Sequence, residues 1–208
     1  MKFDKILNDV ETYYSEKVRN HGPTFKGADW SSKESQELRF EQLLKLCDLR
    51  EPFSINDYGC GYGALFGYMK DKINDFQYRG YDISEEMIIS AKDLFKGYNI
   101  SHFFTDKSQL NAADYTVSSG IFNVRPNIVG NNEWEKFIVT IINEINHHSK
   151  RGFSFNLLTI YSDQELMKDY LYYADPCFYF DYCKRHISKN VALLHDYQLY
   201  EFTIIVRK

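Results

Sequence analysis

Two carboxylates and three glycines carry the clearest chemistry in this chain. In Ser54-Ile-Asn-Asp-Tyr-Gly-Cys-Gly-Tyr-Gly-Ala64 an apolar run ends at Asp57 and opens into Gly59, Gly61 and Gly63, with Cys60 between the first two. Glycine has no Cβ, so three of them at alternate positions let a ligand lie close to the main chain. Placed between a strand and a helix, such a turn cradles nucleotides, with the positive end of the helix toward the ligand. The second carboxylate, Asp82, stands 25 residues beyond Asp57, where the run Tyr78-Arg-Gly-Tyr-Asp-Ile-Ser84 ends. A carboxylate there can accept both hydroxyls of a ribose.

The elements that must hold these groups alternate along the chain. Residues 1–20 read as a helix, and His21 to Trp30 as a loop with two glycines and a proline. Ser31 and Glu34 form an S-x-x-E capping box for a second helix, whose Phe40, Leu43, Leu44 and Cys47 recur at helical spacing to about Leu49. The loop carries His21, Lys26 and Trp30, and residues 1–50 can fold over the glycine turn as a lid or cap. A strand from Phe53 to Asp57 follows, then a helix with Leu65, Phe66, Met69 and Ile73 on one face. Ser84 is an N-cap for a helix buried through Met87, Ile88, Ala91, Leu94 and Phe95. A third strand runs from Ile100 to Thr105, and a fourth from Tyr115 to Ser119. Trp134, Phe137, Ile138, Ile141, Ile142 and Ile145 mark an amphipathic helix, and Phe153 to Thr159 a buried fifth strand. Ser162 with Glu165 predicts a capped helix, and Asp175-Pro176 starts another. The final runs, Val191 to Tyr197 and Glu201 to Val206, are so close that they must form an antiparallel hairpin.

Composition narrows the function. The chain has 208 residues, 44% of them hydrophobic, enough for one domain with a sizeable core over 1–208. Its net charge is −4 and no Lys/Arg run exceeds two, which weighs against nucleic acid as a partner. Cys47, Cys60, Cys177 and Cys183 include no C-x-x-C pair, so a zinc or disulfide framework is not expected. No apolar run has membrane-spanning length and no signal region opens the chain, so the expected location is the cytoplasm, with no membrane partner.

The elements together predict an α/β fold, a seven-stranded mostly parallel sheet with a C-terminal antiparallel hairpin and helices on both faces. With Asp57-Tyr-Gly-Cys-Gly-Tyr-Gly63 and Gly80-Tyr-Asp-Ile-Ser84, this pattern resembles the class I, Rossmann-like methyltransferases that use S-adenosylmethionine (SAM), and a small bacterial branch of them. The resemblance covers most of the chain from Phe53 onward. It implies that Asp57 faces the methionine ammonium, that the backbone of Gly59 to Gly63, with Cys60, lies along methionine and ribose, and that Asp82 holds the ribose. It also implies that Ile83 and Met87 pack on the adenine, with Asp106 near its amine and Ser119-Gly120 beside the sulfonium. Arg39 is a candidate for the methionine carboxylate and Trp30 for a cover over the cofactor. A dinucleotide site is the competing reading, because Gly59, Gly61 and Ala64 fit G-x-G-x-x-A. A further Gly63, the polar Asp57 and the terminal hairpin argue for SAM instead.

SAM carries its own activated methyl, so the remaining residues must position an acceptor and relieve it of a proton; no metal is required. The candidates at the carboxyl ends of the strands are Asn123, His195, Asp196, Tyr197 and Tyr200, with Glu201 beside them and His21 from the loop. The fourth-strand sequence Ser118-Ser-Gly-Ile-Phe-Asn123 lacks the N/D-P-P-Y/F element of methyltransferases that modify nucleic-acid bases. The expectation is methyl transfer to O or N of a small metabolite, natural product or peptide side chain. A catalytically silent SAM-binding module, and less directly an NAD-dependent oxidoreductase, are the alternatives.

Overall fold

The computed structural model describes residues 2–126 and 129–208. Its seven strands are β1 (Phe53–Tyr58), β2 (Phe76–Tyr81), β3 (Ser101–Phe104), β4 (Ala113–Ser118), β5 (Ser149–Leu158), β6 (Asn190–Leu194) and β7 (Glu201–Arg207). They form one sheet in the order β3-β2-β1-β4-β5-β7-β6. β1 to β5 pair in parallel, while β7 is antiparallel to both β5 and β6. The order reverses between β1 and β4, and an open α/β sheet leaves its ligand crevice at such a point.

Among the described residues six α-helices cover the two faces: α1 (Lys2–His21), α2 (Lys33–Leu44), α3 (Ala64–Met69), α4 (Glu85–Leu94), α5 (Asn131–His147) and α6 (Pro176–His186). The alternation of side chains along each strand divides the core between them. Phe53, Ile55, Tyr78 and Val117 meet Phe40 and Leu43 of α2 and Leu65 and Phe66 of α3. Tyr58, Phe153, Phe155 and Phe202 meet Trp134, Ile138 and Ile142 of α5 and Tyr179 of α6. α1 is fastened to the start of α4, where Ser15 Oγ lies 2.8 Å from Ser84 Oγ and Arg19 pairs with Glu86.

Ser84 and Asp175 cap α4 and α6 as expected, with Pro176 in the first turn. Three local expectations need correction. α2 is capped by Ser32 rather than Ser31: Ser32 Oγ accepts from Ser35 N at 3.1 Å and Ser35 Oγ accepts from Ser32 N at 3.3 Å. α2 also ends at Leu44, short of Leu49. Ser162 starts no α-helix, because its hydroxyl donates to Thr159 O at 2.7 Å and only a 3-10 turn over Gln164–Leu166 follows. The connection from β3 to β4 likewise carries just a 3-10 turn, Lys107–Gln109. Among the described residues no helix is long and apolar enough to cross a membrane.

Candidate active site at the carboxyl ends of the strands

The glycine turn leaves β1 and is tied at once to β2, since Gly59 N and Cys60 N donate to Tyr81 O at 2.8 and 2.9 Å. Gly61 has a φ of 53° and a Cβ added there would meet only Met87 Sδ at 3.7 Å, so its missing side chain leaves room beside the backbone. Gly63 serves another purpose. Its Cβ would stand 2.9 Å from Phe103 and Phe95, so this glycine lets the start of α3 pack on aromatic rings.

Both carboxylates converge on this turn. Asp82 Oδ2 accepts from Gly61 N at 2.8 Å and Oδ1 from Ser84 N at 2.9 Å, joining the turn to the head of α4. Burial raises the Asp82 pKa against the pull of these backbone donors. Asp57 is 2% exposed, opposite Gly80 in the sheet register, and accepts the Tyr78 hydroxyl at 2.5 Å. Burial pushes its pKa up to about 7; the Tyr78 hydrogen bond opposes this and the Asp82 charge adds to it. Near neutrality Asp57 is therefore poised to ionise when a cation comes beside it. Cys60, under the turn, is held as a thiol by burial and by both carboxylates.

These groups open onto a cleft of about 960 Å³, counting space shared with solvent. Of the residues singled out by sequence, Trp30, Asp57, Gly59, Cys60, Gly61, Asp82, Ile83, Met87, Ser119 and Gly120 line it. Ser119 Oγ is buried there without a hydrogen-bond partner. Sequence reasoning took residues 1–50 as a cap but named none of the α1 residues Leu7, Val10 and Tyr14, which form a wall, and it missed Tyr62, whose hydroxyl donates to Gln36 Oε1 at 3.1 Å.

A second cavity of about 560 Å³, again counting open space, lies beyond Trp30 and Gly120, which border both. Trp30 rests on Gly120 so closely that a Cβ there would stand 2.4 Å from the indole, and the Arg39 guanidinium lies 4.2 Å from the ring centre on α2. One turn further along α2, Leu43 O accepts from Ser154 Oγ on β5. The same helix face thus brings Arg39 to Asn156 and to Glu201 on β7. Glu201 Oε2 accepts from Arg39 Nε and from Asn156 Nδ2, both at 2.7 Å, while Asn156 Oδ1 accepts from Gly120 N at 2.8 Å. Asn123 Nδ2 reaches Glu201 Oε1 at 3.3 Å.

Comparison with known proteins bears on this geometry. A family model described as a methyltransferase domain matches residues 55–148. A protein from Mycobacterium tuberculosis bearing the name methyltransferase Rv1506c is 50% identical over 165 residues, 79% of this chain and 99% of that protein. The chain belongs to the methyltransferase family. Among solved methyltransferase structures, human N-acetylserotonin methyltransferase in complex with SAM superposes with a TM-score of 0.63 at 16% identity, covering 84% of this chain. This chain spans about half of that protein, 53% of its length. The magnesium protoporphyrin IX methyltransferase of Synechocystis PCC 6803, with bound S-adenosylhomocysteine, gives 0.60 at 15% identity over 84% of each chain.

Several candidates stand elsewhere in this methyltransferase. Arg39 borders the second cavity rather than the larger cleft, and its charge is taken up by Glu201. Asp106 is exposed and caps the 3-10 turn after β3, accepting from Ser108 N at 2.9 Å; hydrogen bonds from the Ser108 side chain and then its backbone hold its pKa below the usual range. Gly63 faces Phe95 and Phe103. His21 is an exposed residue at the end of α1 and lines neither cavity. His195, Asp196, Tyr197 and Tyr200, in the turn between β6 and β7, line neither cavity either. Tyr197 is buried against Thr203 Oγ1 at 3.0 Å, and the Tyr200 hydroxyl donates to Asp163. Asn123 and Glu201 are the polar residues of this group that reach the second cavity.

Proposed function

We propose that the protein holds SAM in the larger cleft and transfers its methyl to O or N of a small metabolite, natural product or peptide side chain seated in the second cavity. The observation that carries this reading is the convergence of Asp57 and Asp82 on the open side of Gly61, with the unpartnered Ser119 Oγ in the same cleft. The residues fit the group. Asp57 suits an ammonium, which would draw it into its charged form, and the outer lone pairs of Asp82 suit ribose hydroxyls. Ile83 and Met87 offer an apolar surface to a purine, and Ser119 Oγ an unused polar contact beside Gly120. When bound, SAM supplies a methyl on a positively charged sulfur, already activated toward a nucleophile.

The chain's own part is to orient the acceptor, exclude water and accept a proton. Residues 1–50 act as the cap in this reading: α1 walls the larger cleft and Trp30 stands between the two cavities. The negative net charge, −4, favours a small or peptide acceptor over nucleic acid, in keeping with a cytoplasmic enzyme. Thermal denaturation with SAM, S-adenosylhomocysteine or NAD tests the donor. The first two should raise the melting temperature and NAD should not; a shift with NAD alone would reverse the assignment. Methyl-labelled SAM with metabolite and peptide mixtures then reports transfer, and binding without any labelled product would favour a silent module.

A further inference from the structure

We infer that the Tyr14 hydroxyl donates a hydrogen bond to the methyl acceptor where the two cavities meet, and that the acceptor arrives with its attacking oxygen already ionised, as a carboxylate or an acidic phenol does. This rests on the second cavity being the acceptor site, as proposed above. Tyr14 lines both cavities from α1, together with Ala28, Trp30 and Gly120, so a methyl crossing from one to the other passes beside it. The side chain is half-buried, and its hydroxyl has no hydrogen-bond partner among the described residues but is not sealed from solvent. Tyr13 packs edge-on against the ring, centre to centre 5.2 Å, and itself donates to Asp29. Asp29 and Glu201 on the side of the second cavity and Asp82 on the side of the larger cleft all act on the Tyr14 phenol, which therefore stands between them. Burial, and after it those carboxylates, hold its pKa far above the ordinary value, so it keeps its proton and serves as a donor, not as a base.

Among the described residues that line the second cavity, no group is free to take a proton. The Glu201 side chain is 0% exposed, and its carboxylate is held by Arg39, Asn156 and Asn123. Asp29 already takes the Lys17 ammonium at 2.6 Å on one oxygen and the Tyr13 hydroxyl at 2.7 Å on the other. Lys168 stays charged, because its contact with the Tyr170 hydroxyl at 3.3 Å raises its pKa. The lining contains no histidine. A neutral hydroxyl would have nowhere to leave its proton, whereas an ionised oxygen has none to lose, and the need for a proton acceptor falls away. Charge agrees with this. Lys17 and Arg39 balance Asp29 and Glu201, backbone donors hold Asp82, and Lys168 remains as an exposed cation at the rim. Behind the oxygen, the rings of Trp30 and Tyr170 with Leu158 and Leu171 suit a flat apolar body. As the ionised oxygen bonds to the methyl carbon, the carbon–sulfur bond breaks with its electron pair on sulfur. The two opposite charges cancel, and Tyr14 keeps its proton throughout.

An ionised oxygen can belong to a carboxylate or to a phenol, and the test separates them. The protein saturated with S-adenosylhomocysteine is presented with benzoate, p-nitrophenol, p-cresol or benzylamine in mildly alkaline buffer, where p-nitrophenol is ionised and p-cresol is not. Binding is read by saturation-transfer NMR. At least one anion should bind more tightly than p-cresol and benzylamine, benzoate marking a carboxylate acceptor and p-nitrophenol an acidic phenol. In Tyr14→Phe, which keeps the ring and removes the hydroxyl, the affinity of that anion should fall about tenfold, the loss expected for one hydrogen bond to a charged group. Its preference over p-cresol should shrink as well, which a merely structural defect, weakening every probe alike, would not produce. Tighter binding of p-cresol or benzylamine than of both anions overturns the inference. So does undiminished binding of the anion to Tyr14→Phe, or failure of both anions while S-adenosylhomocysteine still binds. A loss in Tyr14→Phe confined to S-adenosylhomocysteine would give the hydroxyl to the larger cleft and overturns it too. If S-adenosylhomocysteine itself fails to bind the wild type, the donor reading falls and takes this one with it.

Discussion

Arg39 and Glu201 stand 162 residues apart in the chain and meet inside the protein, Nε to Oε2 at 2.7 Å, with side chains 8% and 0% exposed. The pair joins α2 to β7, and through Asn156 to the backbone of Gly120. Removing one partner strands a charge in the interior, so Arg39→Met should cost about 3–5 kcal/mol. Arg39→Met combined with Glu201→Leu should recover much of that loss, because no unpaired charge remains. Urea denaturation of the two variants checks this; a single variant as stable as the wild type would show that the pair is not sealed from water.

Asp57 gives the ligand-free protein a pH signature. Its folded pKa, about 7, lies above the ordinary value of 3.8 because burial disfavours the charged form. The unfolded chain releases this proton first as pH rises, so the contribution of Asp57 is greatest in acid and is lost as pH climbs through about 7. Between about pH 5 and pH 8 the urea midpoint should fall, and Asp57→Asn should flatten that slope. Calorimetry in two buffers of different ionisation heat should also show proton release when SAM binds near neutrality. Equal heats in both buffers would count against an ammonium beside Asp57.

Asp82→Ala should damage the donor site in two ways at once. It frees Gly61 N and Ser84 N, which the carboxylate now joins, and it removes the acceptor proposed for the ribose hydroxyls. Two charge-assisted hydrogen bonds lost predict a weakening of S-adenosylhomocysteine binding by about a hundredfold or more. Titration calorimetry measures it, and an unchanged affinity would place the ribose elsewhere.

Gly120→Ala should be disruptive and partly rescued from a distance. The glycine has a φ of 75° and an added Cβ would lie 2.4 Å from Trp30, so the cost combines backbone strain with displacement of the indole. About 1–3 kcal/mol of overpacking is expected. In Trp30→Ala the clash is absent, so the second substitution should cost less there than in the wild type. A double-mutant cycle with additive effects would show that the ring does not bear on Gly120 in solution.

The larger cleft was more legible in the sequence than the second cavity, for physical reasons. The glycine turn, Asp57, Asp82 and the Ser84 cap are local arrangements in which a few neighbouring residues determine the backbone. Asp175-Pro176 is readable for the same reason. Ser31 and Ser32 offer equivalent hydroxyls, and only the entry angle of the loop decides between them. Ser162 had a choice of partners as well, and a backbone carbonyl three residues back won. Arg39, Glu201 and Gly120 are joined by tertiary contacts that spacing does not reveal. One signal was present all the same: Asn156 sits in the middle of a strand that is otherwise largely apolar, and a buried amide there needs partners. His195 and its neighbours lie at the expected end of β6, but their side chains are engaged within the turn or exposed and line neither cavity.

Because one indole borders both cavities, their volumes are not independent. Any swing of Trp30 that widens the larger cleft narrows the second cavity, and the reverse swing does the opposite. The two compartments therefore share a partition one side chain thick, and a guest that displaced it from one side would change the room on the other.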